Sequence, residues 1–232
     1  MIVDGQLANM VRTATTWILP VIFAVTFHEA AHGIAAYQLG DDTALRAGRV
    51  SLNPLNHIDP FGTLLLPALM ILTRVPFLFG YAKPVPVNFG RLKPLRLGMV
   101  LVALAGPATN VFLAIVSALL AYGLHFLPLS AVVWARDNLQ HSIELNVVLC
   151  VFNLLPLPPL DGGRVAVGLL PRALAMPLAR VEPYGMMILM GLFLVSYVGA
   201  QTGLGFSLFG WLIGVPANAL YNLVLTVTGQ GG

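Results

Sequence analysis

The apolar run from Ala14 to Tyr37 is long enough to cross a bilayer, yet its second half carries His28, Glu29 and His32. Ionisable groups within hydrocarbon are costly unless each finds a partner, so their presence points to a function. In a helix, positions 28 and 32 share one face, and both imidazoles can reach a single metal ion. Glu29 sits about 100° further round the axis, close enough to hold a water bound to that ion. The run begins too far into the chain, and is too polar, to be a cleaved leader. Ala30, Ala31, Gly33, Ala35 and Ala36 keep it slim, which lets neighbouring helices approach closely.

The remainder of the 232 residues shares this solvent. Charged residues make up 9% of the chain, against roughly 25% in a soluble domain. The mean hydropathy of +0.86 therefore describes a surface that faces lipid. A net charge of +3 comes from only 12 Lys and Arg, mostly between apolar runs. That pattern orients a chain in a bilayer and excludes a nucleic-acid partner. The single cysteine, Cys150, excludes an intrachain disulfide and reads as a small core hydrophobe.

Further spans are expected over 97–124, about 143–157, about 184–200 and about 206–228. Arg136, Asp137, Gln140 and His141 read as an external connection. Residues 61–80 are apolar but broken by Pro67, Arg74 and Pro76, and are expected to dip in as a re-entrant or interfacial hairpin. Gly48 to Asn53 alternates weakly and is expected as a short strand, ended by Asn53-Pro54. His57 reads as a hydrogen-bonded loop histidine rather than a ligand. The expected fold is a membrane all-α, polytopic helix bundle of about five spans, with a small β element near the site. Residues 1–232 are expected as one domain, with a catalytic core at about 14–170, C-terminal spans at about 184–228 and no accessory domain.

A catalytic zinc keeps three protein ligands and one open position. The third ligand must come from 9 acidic residues or the remaining histidines. Asp161 is favoured. Pro156, Pro158 and Pro159 break the helix before it, freeing the backbone to turn the carboxylate inwards. Gly162 and Gly163 are expected to remove side chains where the metal helix passes.

On these residues the chain resembles the site-2 protease family of intramembrane zinc metalloproteases. Three segments carry the likeness, in that family's order. They are His28-Glu29-Ala30-Ala31-His32, Gly106-Pro107 with Asn110, and Asn153-Leu154-Leu155-Pro156 leading to Asp161-Gly162-Gly163. Leu52-Asn53-Pro54 and the segment from Tyr81 to Asn88 resemble parts of its compact bacterial branch, so the likeness covers roughly 14–170. The resemblance implies one Zn2+ per chain on His28, His32 and Asp161, with Glu29 as general base. It implies that Asn153 and Asn110 contact the substrate backbone or the developing oxyanion, although an interhelical hydrogen bond explains Asn110 equally well. It implies a membrane-anchored protein substrate, cut in or near its transmembrane segment in a prokaryotic cell membrane.

If His28, Asn110 and Asp161 meet at one depth, their spans run down, up and down. Residues 38–96 and 157–182 then share one side, with Arg46, Arg49, Lys83, Arg91, Lys93, Arg96, Arg164, Arg172 and Arg180. Positive residues mark the cytoplasm, which places the site towards that face and the N-terminus outside. Three other functions compete: a peptidase for soluble peptides, a metal-binding or transport protein, and a silent adaptor for membrane helices. An intact Glu29 argues against the adaptor. Transport needs a polar path, and the last two runs offer little beyond Gln201, Asn218 and Asn222.

Overall fold

The structure, a computed structural model, describes residues 2–65, 69–70, 72, 80–201 and 207–231. Its helices are α1 (Ile2–Gln38), α2 (Thr43–Arg46), α3 (Leu95–Ala121), α4 (Leu129–Asn153), α5 (Asp161–Leu169), α6 (Arg172–Ala179), α7 (Gly185–Gln201) and α8 (Val215–Val227).

Helices α1, α3 and α4 form the centre. Val102 and Asn110 of α3 face His32 and His28 of α1, so these helices run antiparallel. Asn110 and Ser117 likewise meet Asn146 and Ser142 of α4. Helix α4 runs beside α1 in the same direction: Arg12 pairs with Asp137 at 2.7 Å, and one turn further along both helices His141 Nδ1 lies 3.2 Å from the Thr16 carbonyl. This is the down, up and down arrangement expected from the motifs.

Small residues make the close approach possible. Ala24, Ala30 and Ala36 of α1 and Ala103, Ala114 and Ala118 of α3 are at most 2% exposed. Ala217 and Val224 of α8 join Ala114, Ala118, Ile143 and Val147 in a second cluster. Large side chains point outward instead, among them Ile18, Phe23, Leu101, Phe112 and Leu119. Slim residues inside and bulky apolar residues outside suit a bundle solvated by lipid.

Among the described residues, four helices are long and apolar enough to cross a membrane: Val11–Gln38, Leu95–Phe126, Arg172–Gly199 and Gly210–Val227. The expected span at 143–157 is replaced by the longer α4, which begins at Leu129. It takes in Arg136, Asp137, Gln140 and His141, residues expected in a connection. Their partners explain the difference. His141 stacks on Trp17 with ring centroids 4.0 Å apart, and its Nδ1 lies 3.2 Å from the Thr16 carbonyl. Gln140 donates to Glu144 one turn on. Polar side chains satisfied in this way let the helix continue, while lowering its hydropathy below that of a plain span.

The expected strand is also corrected. No strand occurs among the described residues, and 48–53 run as a turn residue followed by bends and irregular chain. Gly48 adopts φ +64°, the His57 ring bonds the Ser51 carbonyl at 2.9 Å, and Asn53 N–H donates to Ser51 Oγ. Local side chains have taken the backbone groups that a strand would offer to a partner. His57 is thus the expected hydrogen-bonded loop histidine. The hairpin expected at 61–80 falls largely outside the described residues. Its first residues belong to a π-helical turn, Pro60–Leu65.

Candidate metal centre

Two helices deliver three ligand atoms to one point, and a third helix orients them. The prolines between 156 and 159 stop α4 at Asn153, and the chain re-enters the bundle with Asp161 as the first residue of α5. The Nε2 atoms of His28 and His32 lie 3.1 Å apart, and each is 3.3 Å from Asp161 Oδ2. All three residues are at least nine-tenths buried.

Hydrogen bonding sets the tautomers. His28 Nδ1 donates to Asn110 Oδ1 at 2.6 Å, and His32 Nδ1 donates to the Val102 carbonyl at 2.7 Å. Both partners are pure acceptors, so each ring proton sits on Nδ1 and each Nε2 keeps its lone pair. Two bare nitrogens and a carboxylate oxygen converge with nothing between them to share. Asp161 Oδ2 is buried with no hydrogen-bond partner, the orphan that a cation satisfies. Tetrahedral zinc with bonds of about 2.0–2.1 Å holds its ligands about 3.3 Å apart, which is the spacing found. The donor set fits zinc.

Glycine makes room for the rings. A Cβ at Gly106 would lie 2.6 Å from His28 Nε2 and still closer to His32 Nε2. Gly162 and Gly163 have a different job from the one expected. A Cβ at Gly162 would meet the backbone of Leu154 and Leu155, and one at Gly163 the backbone of Leu157 and Pro158. They let the proline turn fold back on α5, and the nearest neighbours of both glycines belong to that turn.

The site opens into a cavity of about 420 Å³. Glu29 and Asn153 line it with the three ligands, beside apolar residues including Val85, Phe152 and Leu189. Asn153 Nδ2 donates to the Leu149 carbonyl at 3.0 Å. Asn110 does not line the cavity. It is fully buried, with Oδ1 on His28 and Nδ2 donating to Asn146 Oδ1 at 2.8 Å. Asn146 in turn donates to the Ser142 carbonyl. No motif marks Asn146; its seven-residue spacing from Asn153, which puts the two on a similar face of α4, is the signal the sequence offers. Glu29 Oε2 accepts the Val85 N–H at 2.8 Å, a contact that nothing in the motif announces.

The family model for peptidase family M50 matches residues 130–196. YwhC of Bacillus subtilis, named as a predicted zinc metalloprotease, is 41% identical over 190 residues, covering 78% of this chain and 82% of its own. The chain belongs to peptidase family M50. Rip2 of Mycobacterium tuberculosis, named in the same way, is 31% identical over 194 residues, 84% of this chain and 68% of that one. MJ0611 of Methanocaldococcus jannaschii is 44% identical over 64 residues, 28% of this chain and 31% of its own. No solved structure matches. The resemblance to site-2 proteases is thereby borne out, and this M50 member is a zinc metalloprotease of the membrane.

Proposed function

We propose that this M50 protease hydrolyses peptide bonds in or beside the transmembrane segments of membrane-anchored substrates. One observation carries the reading. His28 and His32 sit on a helix of span length, Asp161 joins them from α5, and the triad opens into a largely apolar cavity, where water-soluble peptides find little to bind.

His28, His32 and Asp161 hold the metal, and Glu29 is the general base. Bound zinc supplies a Lewis acid that polarises the scissile carbonyl and brings a water's pKa to about 7. Glu29 takes the proton from the attacking water and returns it to the leaving amine. Asn153, on the cavity wall one turn beyond Leu149, contacts the substrate backbone. Asn110 acts from behind His28 instead, since both of its polar atoms are engaged inside the protein. A substrate helix must unwind to present a carbonyl, because its own hydrogen bonds hide it.

Helix α4, at about 1.5 Å per residue, spans about 37 Å and completes five crossings with the four more apolar helices. The site then lies towards the cytoplasmic face and the N-terminus outside, as the lysines and arginines of 38–96 and 157–182 direct. The test is a paired assay in proteoliposomes, comparing a transmembrane peptide with a soluble peptide of the same cleavage sequence. Selective cleavage of the embedded peptide supports the reading; equal or preferred cleavage of the soluble one overturns it.

A further inference from the structure

The two histidines are oriented by α3, but Glu29 is oriented by a segment with no regular structure. Residues 80–88 run past α1 and are tied down along their length. Tyr81 N–H donates to the Gly62 carbonyl, and Thr63 Oγ1 donates to the Tyr81 carbonyl. Lys83 N–H donates to the His57 carbonyl at 3.0 Å, and Asn88 N–H donates to Asp41 Oδ2 at 2.6 Å. Between these ties, Val85 N–H reaches Glu29 Oε2 at 2.8 Å.

Two further features fix that contact. Pro84 and Pro86 have no N–H, so Val85 supplies the only amide donor across 84–86, and the register of the donor is set by sequence. Gly33 lies one turn after Glu29 on the same face of α1. A Cβ there would stand 3.0 Å from Val50 Cγ2 and 3.3 Å from Val85 Cγ1, so the missing side chain lets the segment close on the helix.

Arg49 holds the segment from the other side. Its guanidinium donates to the carbonyls of Lys83 at 2.6 Å and Pro84 at 3.5 Å. It is 8% exposed, its Nε has no acceptor, and no carboxylate pairs with it among the described residues. A buried cation without a counter-ion is costly. Here it gains charge-assisted bonds to two carbonyls next to the donor of Glu29.

We infer that residues 80–88 form a fixed strap whose Val85 N–H orients Glu29, and that Arg49 is the positioning residue holding the strap in place. The inference rests on the proposed role of Glu29. A glutamate has three rotatable bonds, and an anchored Oε2 restricts them while Glu29, on the cavity wall, keeps its second oxygen to take the proton.

The test compares Val85→Pro with Val85→Ala, which differ in the backbone N–H and both shorten the side chain. Arg49→Gln and Arg49→Lys form a second pair. Each is assayed on the zinc-loaded full chain with a transmembrane peptide, beside wild type and Glu29→Gln. The expected result is a kcat for V85P about 10–100-fold below that of V85A, with KM and bound zinc unchanged. R49Q should lose kcat in the same way and R49K recover part of it. Equal kcat in V85P and V85A, or zinc lost together with activity in both pairs, overturns the inference. Glu29→Gln at wild-type rate would instead overturn the proposed base, so the two failures are distinct.

Discussion

His28 turns its Nδ1 to Asn110 Oδ1 at 2.6 Å, and that bond leaves the lone pair of its Nε2 free for a metal, 3.3 Å from Asp161 Oδ2. Asn110 is itself fixed by Asn146, and Asn146 by Ser142, so a ladder of neutral amides and hydroxyls runs through the bundle behind the ligand. Such outer partners raise ligand basicity and fix ring orientation. Asn110→Ala should weaken zinc binding by about 10–100-fold. Competition against a chelator of known affinity measures it, and unchanged affinity would leave the ladder without a role at the metal.

Gly106 supports the same rings sterically. Gly106→Ala places a methyl 2.6 Å from His28 Nε2. The purified variant should retain under about a tenth of the wild-type zinc, because both ligand atoms must move. Gly123→Ala, where a Cβ meets nothing within 4 Å, serves as the control and should keep its zinc. Full metal loading of G106A would contradict the ring placement.

Asp41 makes the fold sensitive to pH outside the membrane spans. It is fully buried just after α1. Burial alone would raise its pKa. Hydrogen bonds from Thr43 Oγ1 at 2.5 Å and the N–H groups of Asn88 and Thr43, with Arg91 at 3.9 Å, outweigh burial and hold the carboxyl below its ordinary range. A depressed folded-state pKa adds stability above the unfolded value of about 3.9, and that stability is lost as pH falls through the folded value. Asp41→Asn should therefore cost about 1–3 kcal/mol at neutral pH, with the gap to wild type closing below about pH 4. Thermal unfolding in detergent across that range checks it, and a constant gap would exclude the carboxylate as its source.

Removing the metal should abolish hydrolysis without unfolding the bundle, whose helices are held by packing among Ala24, Ala103, Ala114, Val147 and their neighbours. Dialysis against a chelator, then repletion with one zinc per chain, should remove and restore cleavage while helical circular dichroism stays constant. Cleavage that survives complete zinc removal would exclude the metal from the reaction.

What the sequence made legible was set by local spacing. His28 and His32 are one helical turn apart, and Asp161 follows a proline break, so both parts of the metal triad could be read along the chain. The alternation of helix direction followed from placing those motifs at one depth. The misses share a cause in long-range pairing. The polar first half of α4 reads as a loop until Arg12, Thr16 and Trp17 are brought beside Asp137 and His141. The strand at 48–53 was excluded by a histidine ring and a serine hydroxyl that bond its backbone first. Val85 reaches Glu29 across 56 positions, and no periodicity encodes that meeting.

The most direct test of the account is Glu29→Gln in the purified, zinc-loaded chain, assayed on a peptide with a transmembrane segment. Glutamine keeps the shape of glutamate and cannot take a proton. The variant should bind one zinc, as wild type does, and cleave about 10²–10⁴-fold more slowly. Cleavage at the wild-type rate with zinc bound would contradict the mechanism at its centre.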